Sequence, residues 1–123
     1  MPKNKCICDC HALNEKLVEQ TQKAIPGNAT IKMLADFFDI LGNNTRCKIL
    51  FALKETPLCV CDLANVLSMT KSSVSHQLNT MKKVGVVKSE RNGKRVCYAL
   101  DDDHVTKILE TSFVHVEEKC HEK

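Results

Sequence analysis

A chain of 123 residues suits one domain, and its 43% hydrophobic and 27% charged content supports a packed core and excludes wholesale disorder. No stretch approaches the ~18 apolar residues of a membrane span, and Met1-Pro-Lys-Asn-Lys-Cys has no apolar run behind it, so neither a span nor a secretory signal is expected. The net charge of +3 conceals a segregation: residues 71–95 carry seven bases against Glu90 alone, and residues 96–123 carry three lysines against seven acids. Without an export signal, the eight cysteines point to a reducing, cytoplasmic setting, where thiols serve a metal or a redox switch better than a disulfide framework.

Residues 1–12 hold Cys6, Cys8, Cys10 and His11 with almost nothing to bury, and read as a flexible cysteine-rich arm. Leu13, Leu17 and Val18 begin a weak helix that Pro26-Gly27 ends. Thr30 caps the next helix, in which Ile31, Leu34, Ala35, Phe38 and Leu41 recur at helical spacing until Gly42. Asn44 caps a third, with Cys47, Ile49, Leu50 and Leu53 apolar, which fails before Pro57.

Leu58-Cys-Val-Cys is extended or only entering a helix, and a short helix follows from Asp62 to Leu67. Ser68-Met-Thr70 is a turn, with Thr70 placed to cap a helix from Lys71 to Val84. In that helix Val74, Leu78 and Met81 form one buried stripe, and Gly85 takes the C′ position. Val86–Glu90 and Lys94–Leu100 flank Arg91-Asn92-Gly93, a hairpin signal because Asn-Gly adopts positive φ easily. A last helix starts near Asp101, with Val105, Ile108, Leu109, Phe113 and Val116 as its stripe.

Short helix, turn, polar-faced helix and hairpin is the order of a winged helix-turn-helix, so the fold expected is mainly α with a β-hairpin wing. Opposite the buried stripe, the second helix shows Ser72, Ser73, His76, Asn79 and Lys83, with Lys71 and Ser75 beside them. Such groups reach base edges and phosphates in a major groove. Arg91, Lys94 and Arg95 at the hairpin suit the neighbouring backbone. With one Tyr, four Phe and no Trp, base stacking on single strands is disfavoured against reading a duplex. The plain alternative is a helix with an ordinary solvated face.

Cys59-Val-Cys61 is the sharpest local feature. On a regular helix, residues two apart point about 200° away from each other, so both sulfurs face one ion only where the chain is extended or just turning into a helix. Two thiolates leave a tetrahedral or trigonal soft-metal site incomplete, and the arm supplies further candidates. The alternative is that Cys59 and Cys61 merely pack, which is the reading preferred for Cys47 and Cys97.

On the last helix, His115 and Glu118 are i, i+3 neighbours. His104 precedes His115 by eleven residues, which separates them by about 16 Å along the axis, too far for one ion. Two antiparallel copies would bring Asp102 and His104 of one chain to His115 and Glu118 of the other, giving two symmetric sites. Otherwise these are two solvated histidines among acids.

Leu58-Cys-Val-Cys-Asp-Leu-Ala, the serine-rich Lys71–Val84 helix, the Gly93 wing and Asp102-x-His104 with His115 together resemble the ArsR/SmtB family of metal-sensing repressors, in its CadC-like, cadmium/lead/zinc-responsive branch. The resemblance spans roughly residues 6–118. It implies a homodimer formed through the terminal helices that binds double-stranded operator DNA, represses metal-efflux or resistance genes and leaves when Cd2+, Pb2+ or Zn2+ binds. It implies a thiolate site of Cys6, Cys10, Cys59 and Cys61 between subunits, with Cys8 a further candidate. It also implies a zinc site of Asp102, His104, His115 and Glu118 on the dimer helix.

The domain plan is then an arm over 1–12, a DNA-binding and dimerisation domain over 13–118 and a tail over 119–123. Arsenite-sensing members that use this motif alone carry a third cysteine later in the same helix, whereas Asp-Leu-Ala-Asn-Val-Leu follows Cys61 here. An arm cysteine can complete an arsenite, antimonite or bismuth site instead. The rivals are a thiol redox switch on the same fold and a metal-buffering protein. No nucleophile–base pair or phosphate-cradling loop appears among only four glycines, so no enzyme is expected and no organic cofactor is called for.

Overall fold

The computed structural model describes residues 14–121, which fall into two compact units dividing between Met33 and Leu34. The first unit contains helix α1 (Glu15–Ala24) and the start of α2 (Asn28–Leu41). Asn14 caps α1, its Oδ1 accepting from the Leu17 amide at 2.9 Å. Helix α2 already begins at Asn28, so Thr30 lies inside its first turn and does not cap it.

In the second unit, α3 (Asn44–Glu55) is capped by Asn43, whose Oδ1 accepts from the Arg46 amide at 3.0 Å. Of two adjacent asparagines the earlier one takes the extended backbone, and Asn44 becomes the first helical residue. Then come β1 (Leu58–Cys59), α4 (Val60–Leu67), α5 (Lys71–Val84), β2 (Val87–Asn92), β3 (Arg95–Leu100) and α6 (Asp103–His121). Helix α4 thus starts two residues before Asp62, at the strand's end.

The core joins Ile49, Leu50 and Leu53 of α3, Leu63 of α4, and Val74, Leu78 and Met81 of α5 to Val86, Val87, Leu100, Val105 and Leu109. Two Schellman-type ends orient the helix pair. Ser68 adopts φ 54° after α4, and the Met69 amide reaches back to the Ala64 carbonyl at 2.9 Å. Gly85 adopts φ 84° after α5, and the Val86 amide reaches the Met81 carbonyl at 3.0 Å. Thr70 Oγ1 accepts from the Ser73 amide at 3.1 Å, capping α5.

The sheet is antiparallel in the order β1-β3-β2. Asn92 pairs with Arg95, so the hairpin turn is Gly93-Lys94, one residue later than Arg91-Asn92-Gly93. Only Gly93, at φ 69°, needs a positive angle, the type II′ pattern that glycine opens at the first central position.

Helix α6 begins at Asp103 rather than Asp101, because the Asp102 carboxylate accepts from the amides of His104 (3.0 Å) and Val105 (3.2 Å). It continues without a break past Glu118 to His121. Two apolar stripes stay open in this single chain. Phe38 of α2 and Phe113 and Val116 of α6 remain 60%, 53% and 56% exposed. They border a groove of about 450 Å³ shared with Leu41, Cys47 and Phe51. Among the described residues no helix is long and apolar enough to cross a membrane.

Candidate functional site

The basic face expected to read DNA is built by α5 and the hairpin. Burial of Val74, Leu78 and Met81 turns Lys71, Ser72, His76, Asn79 and Lys83 outward as exposed residues. Ser73 and Ser75 are half-buried. Two bonds fix the helix in place: Arg46 Nε donates to Gln77 Oε1 at 2.8 Å, and Lys82 Nζ donates to Ser89 Oγ at 2.8 Å. Arg91, Lys94 and Arg95 are all exposed on the wing.

The sulfur centre lies where β1 turns into α4. Cys59 is extended (φ −86°, ψ 171°) and buried, whereas Cys61 sits in the first turn of α4 and is exposed. The Cys59 thiol donates to Asp62 Oδ2 at 3.1 Å and accepts from Arg95 Nη2, also at 3.1 Å. Arg95 Nη2 and Asp62 Oδ2 are 3.9 Å apart, which closes a three-membered cluster between α4 and the wing. The hydrogen bond from Cys59, more than the charge of Arg95, holds the Asp62 carboxyl below the usual carboxylate range. The bond to Cys59 likewise holds the Arg95 guanidinium above its ordinary value.

Sheet register explains the cluster. Cys59 faces Cys97 across β1 and β3, and Arg95, two residues before Cys97, projects from the same face and reaches the sulfur diagonally. The donors suit a soft cation in kind, because two sulfurs flank the junction. Yet no three Cys, His, Asp or Glu side chains among the described residues lie close enough together to hold an ion. Any ion held by Cys59 and Cys61 takes its other ligands from elsewhere.

The last-helix set is spread along α6. His104 is 88% exposed, with Nδ1 3.4 Å from Asp102 Oδ2. Backbone bonding from Val105, with His104 adding to it, holds the Asp102 carboxyl below the usual range. His115 and Glu118 are exposed further along the same helix. These four do not converge within one chain.

A family model described as bacterial regulatory protein, arsR family, matches residues 43–89, from the cap of α3 into the wing. A cadmium resistance transcriptional regulatory protein CadC homolog of Staphylococcus aureus is 35% identical over 115 residues, covering 93% of this chain and 94% of the relative. The chain belongs to the ArsR family. The crystal structure of the AntR antimony-specific transcriptional repressor superposes with a TM-score of 0.70 at 27% identity, covering 91% of this chain and 99% of AntR. A homodimeric winged helix-turn-helix DNA-binding domain from Mycobacterium bovis gives a TM-score of 0.75 at 23% identity, over 81% of this chain and 95% of its own, a likeness of fold.

Within this ArsR-family chain, sequence reasoning missed three contributors. Asp62 was not singled out, although a carboxylate directly after Cys61 at a helix start is a visible partner for a thiol three residues back. Cys97, expected in the core, is half-buried and stands opposite Cys59. Gln77 anchors α5 from its half-buried side. The arm candidates Cys6, Cys8, Cys10 and His11 lie outside the described residues.

Proposed function

We propose that this ArsR-family protein is a cytoplasmic repressor that binds operator duplex DNA as a homodimer and leaves it when a soft cation of the Cd2+, Pb2+ or Zn2+ kind binds. The observation that carries the reading is the position of Cys59 and Cys61, at the entrance to the first helix of the DNA-reading pair. Soft thiolates there sit on the element that must move if the reading helix is to leave its groove. The similarity over nearly the whole chain to a cadmium resistance regulator supports it. A homodimer is supported by the open parts of the α2 and α6 stripes, where Phe38, Phe113 and Val116 stay more than half exposed in one chain.

In this reading Cys59 and Cys61 hold the cation with Cys6 and Cys10 of the arm over 1–12, and Cys8 as a further donor. Asp102 and His104 of one chain and His115 and Glu118 of its partner form a second, harder site suited to zinc. Lys71, Ser72, Ser73, Ser75, His76, Asn79 and Lys83 face the major groove, and Arg91, Lys94 and Arg95 face phosphates. Metal and DNA then oppose each other reciprocally.

Operator affinity by fluorescence anisotropy, with reduced protein titrated by Cd2+, Pb2+, Zn2+ and antimonite in turn, tests the reading. Release by a divalent cation is the expected outcome, and an unchanged duplex complex with all three would overturn it. Release by antimonite alone would favour a second reading, supported by the likeness to AntR, in which an arm thiol completes a three-sulfur site.

A further inference from the structure

The Asp62–Cys59–Arg95 cluster joins the sulfur centre to the wing. Cys59 is the joint. Its sulfur gives its hydrogen to Asp62 on α4 and accepts the Arg95 guanidinium from β3, each at 3.1 Å. Of the three, Cys59 alone is buried, whereas the Arg95 and Asp62 side chains are 66% and 49% exposed. Arg95 opens strand β3 directly after the Gly93-Lys94 turn, so whatever holds its guanidinium also holds the base of the hairpin tip.

We infer that Asp62, Cys59 and Arg95 form a relay through which the sulfur centre sets the position of the wing. The inference rests on the functional reading above, in which Cys59 ligates a soft cation. As a thiol, Cys59 satisfies both neighbours. As a metal ligand it cannot, because the thiol hydrogen has gone to solvent and Asp62 is left without its donor. The bound sulfur can still accept from Arg95, but the guanidinium then faces a dication across that sulfur and is repelled by it. Asp62 remains its nearest anion, at the end of a bond no longer fixed from the other side. Arg95 is thus a positioning residue for the wing, in addition to any phosphate it touches.

The relay and a plain phosphate contact predict different outcomes for one measurement, the ratio of operator affinities without and with Cd2+. A residue that only touches DNA weakens both complexes alike and leaves that ratio unchanged. Arg95→Gln and Asp62→Ala should each shrink the ratio by about two- to fivefold, the span expected for solvent-exposed charged contacts. Asp62 lies outside the reading face, so Asp62→Ala keeps the test readable even where Arg95→Gln binds DNA too weakly to follow. Lys94→Gln is the control, expected to lower both affinities and preserve the ratio.

The readout independent of DNA is the amide spectrum of Arg95 and Val96 during Cd2+ titration of free protein. These resonances should shift in the wild type and shift less in Asp62→Ala. Wild-type ratios retained in both variants would overturn the relay while leaving the metal-responsive reading intact. A wild-type operator complex indifferent to Cd2+ would remove the reading itself, and the relay with it.

Discussion

Arg46 and Gln77 are 31 positions apart, yet Arg46 Nε donates to Gln77 Oε1 at 2.8 Å, tying α5 to α3. The bond is half-buried and spans the helix pair from side chain to side chain. Gln77→Leu should leave the Arg46 donor without its acceptor and lower stability by about 1 kcal/mol. Urea denaturation at neutral pH reads this directly, and an unchanged midpoint would show that solvent replaces the bond at no cost.

His76 and Asn79 are exposed on α5 and are not among its buried residues, so His76→Ala with Asn79→Ala should leave the fold and cadmium stoichiometry unaltered. Operator affinity should fall by about 1–3 kcal/mol for each base edge that is no longer bonded, while binding to unrelated duplex hardly changes. An equal fall on both duplexes would assign this face to phosphates.

Arg91→Gln with Lys94→Gln should weaken operator and unrelated duplex together. The slope of log affinity against log salt should flatten by about 0.9 for each phosphate no longer neutralised. Weakening confined to the operator would mean that the wing reads bases.

The two proposed metal constellations should separate spectroscopically. Cd2+ added to reduced protein should give an ultraviolet sulfur-to-metal charge-transfer band, and Cys59→Ser or Cys61→Ser should diminish it. His104→Ala should leave the band intact, since imidazole and carboxylate contribute no sulfur transition, and should abolish a separate zinc or cobalt site instead. If Cys61→Ser still left its operator normally with Cd2+, the last-helix set would be the sensor.

Much of the fold is legible in the sequence because helix signals are local. The stripe of Val74, Leu78 and Met81, the Thr70 cap and the Gly85 stop all fall where i, i+3, i+4 spacing and capping chemistry put them. Errors of one residue arise where two neighbours offer the same chemistry, as Asn43 and Asn44 do for α3, or where turn register decides, as at Gly93-Lys94. The two residues of β1 are too few for any alternation to show, so the pairing of Cys59 with Cys97, and with it the reach of Arg95 to the sulfur, has no sequence signal. The stripe of α2 is visible, but its partner is not: Ile40 is the residue that α2 buries, while Phe38 stays exposed.

The start of α6 gives a pH prediction. Asp102 ionises more readily folded than unfolded because its carboxylate accepts the Val105 and His104 amides. As pH falls below about 5, the unfolded chain takes up that proton first, so the contribution present at neutral pH is lost as pH passes through the ordinary carboxylate value and on through the lower folded one. Asp102→Asn, which keeps a capping oxygen and removes the titration, should show a shallower decline of stability between about pH 6 and about pH 3. Parallel curves for wild type and variant would deny the cap its charge dependence.

The exposed Phe38, Phe113 and Val116 have a consequence for a chain present in small numbers. When a second copy fills the groove they border, stability becomes a function of abundance, because association adds to the folded state and to nothing else. Dilution then acts twice in the same direction: it empties the operator by mass action, and it returns apolar surface to water on the copies that remain. Repression by such a protein fades more steeply with copy number than DNA affinity alone dictates, and the steepness is set by side chains that touch neither metal nor DNA.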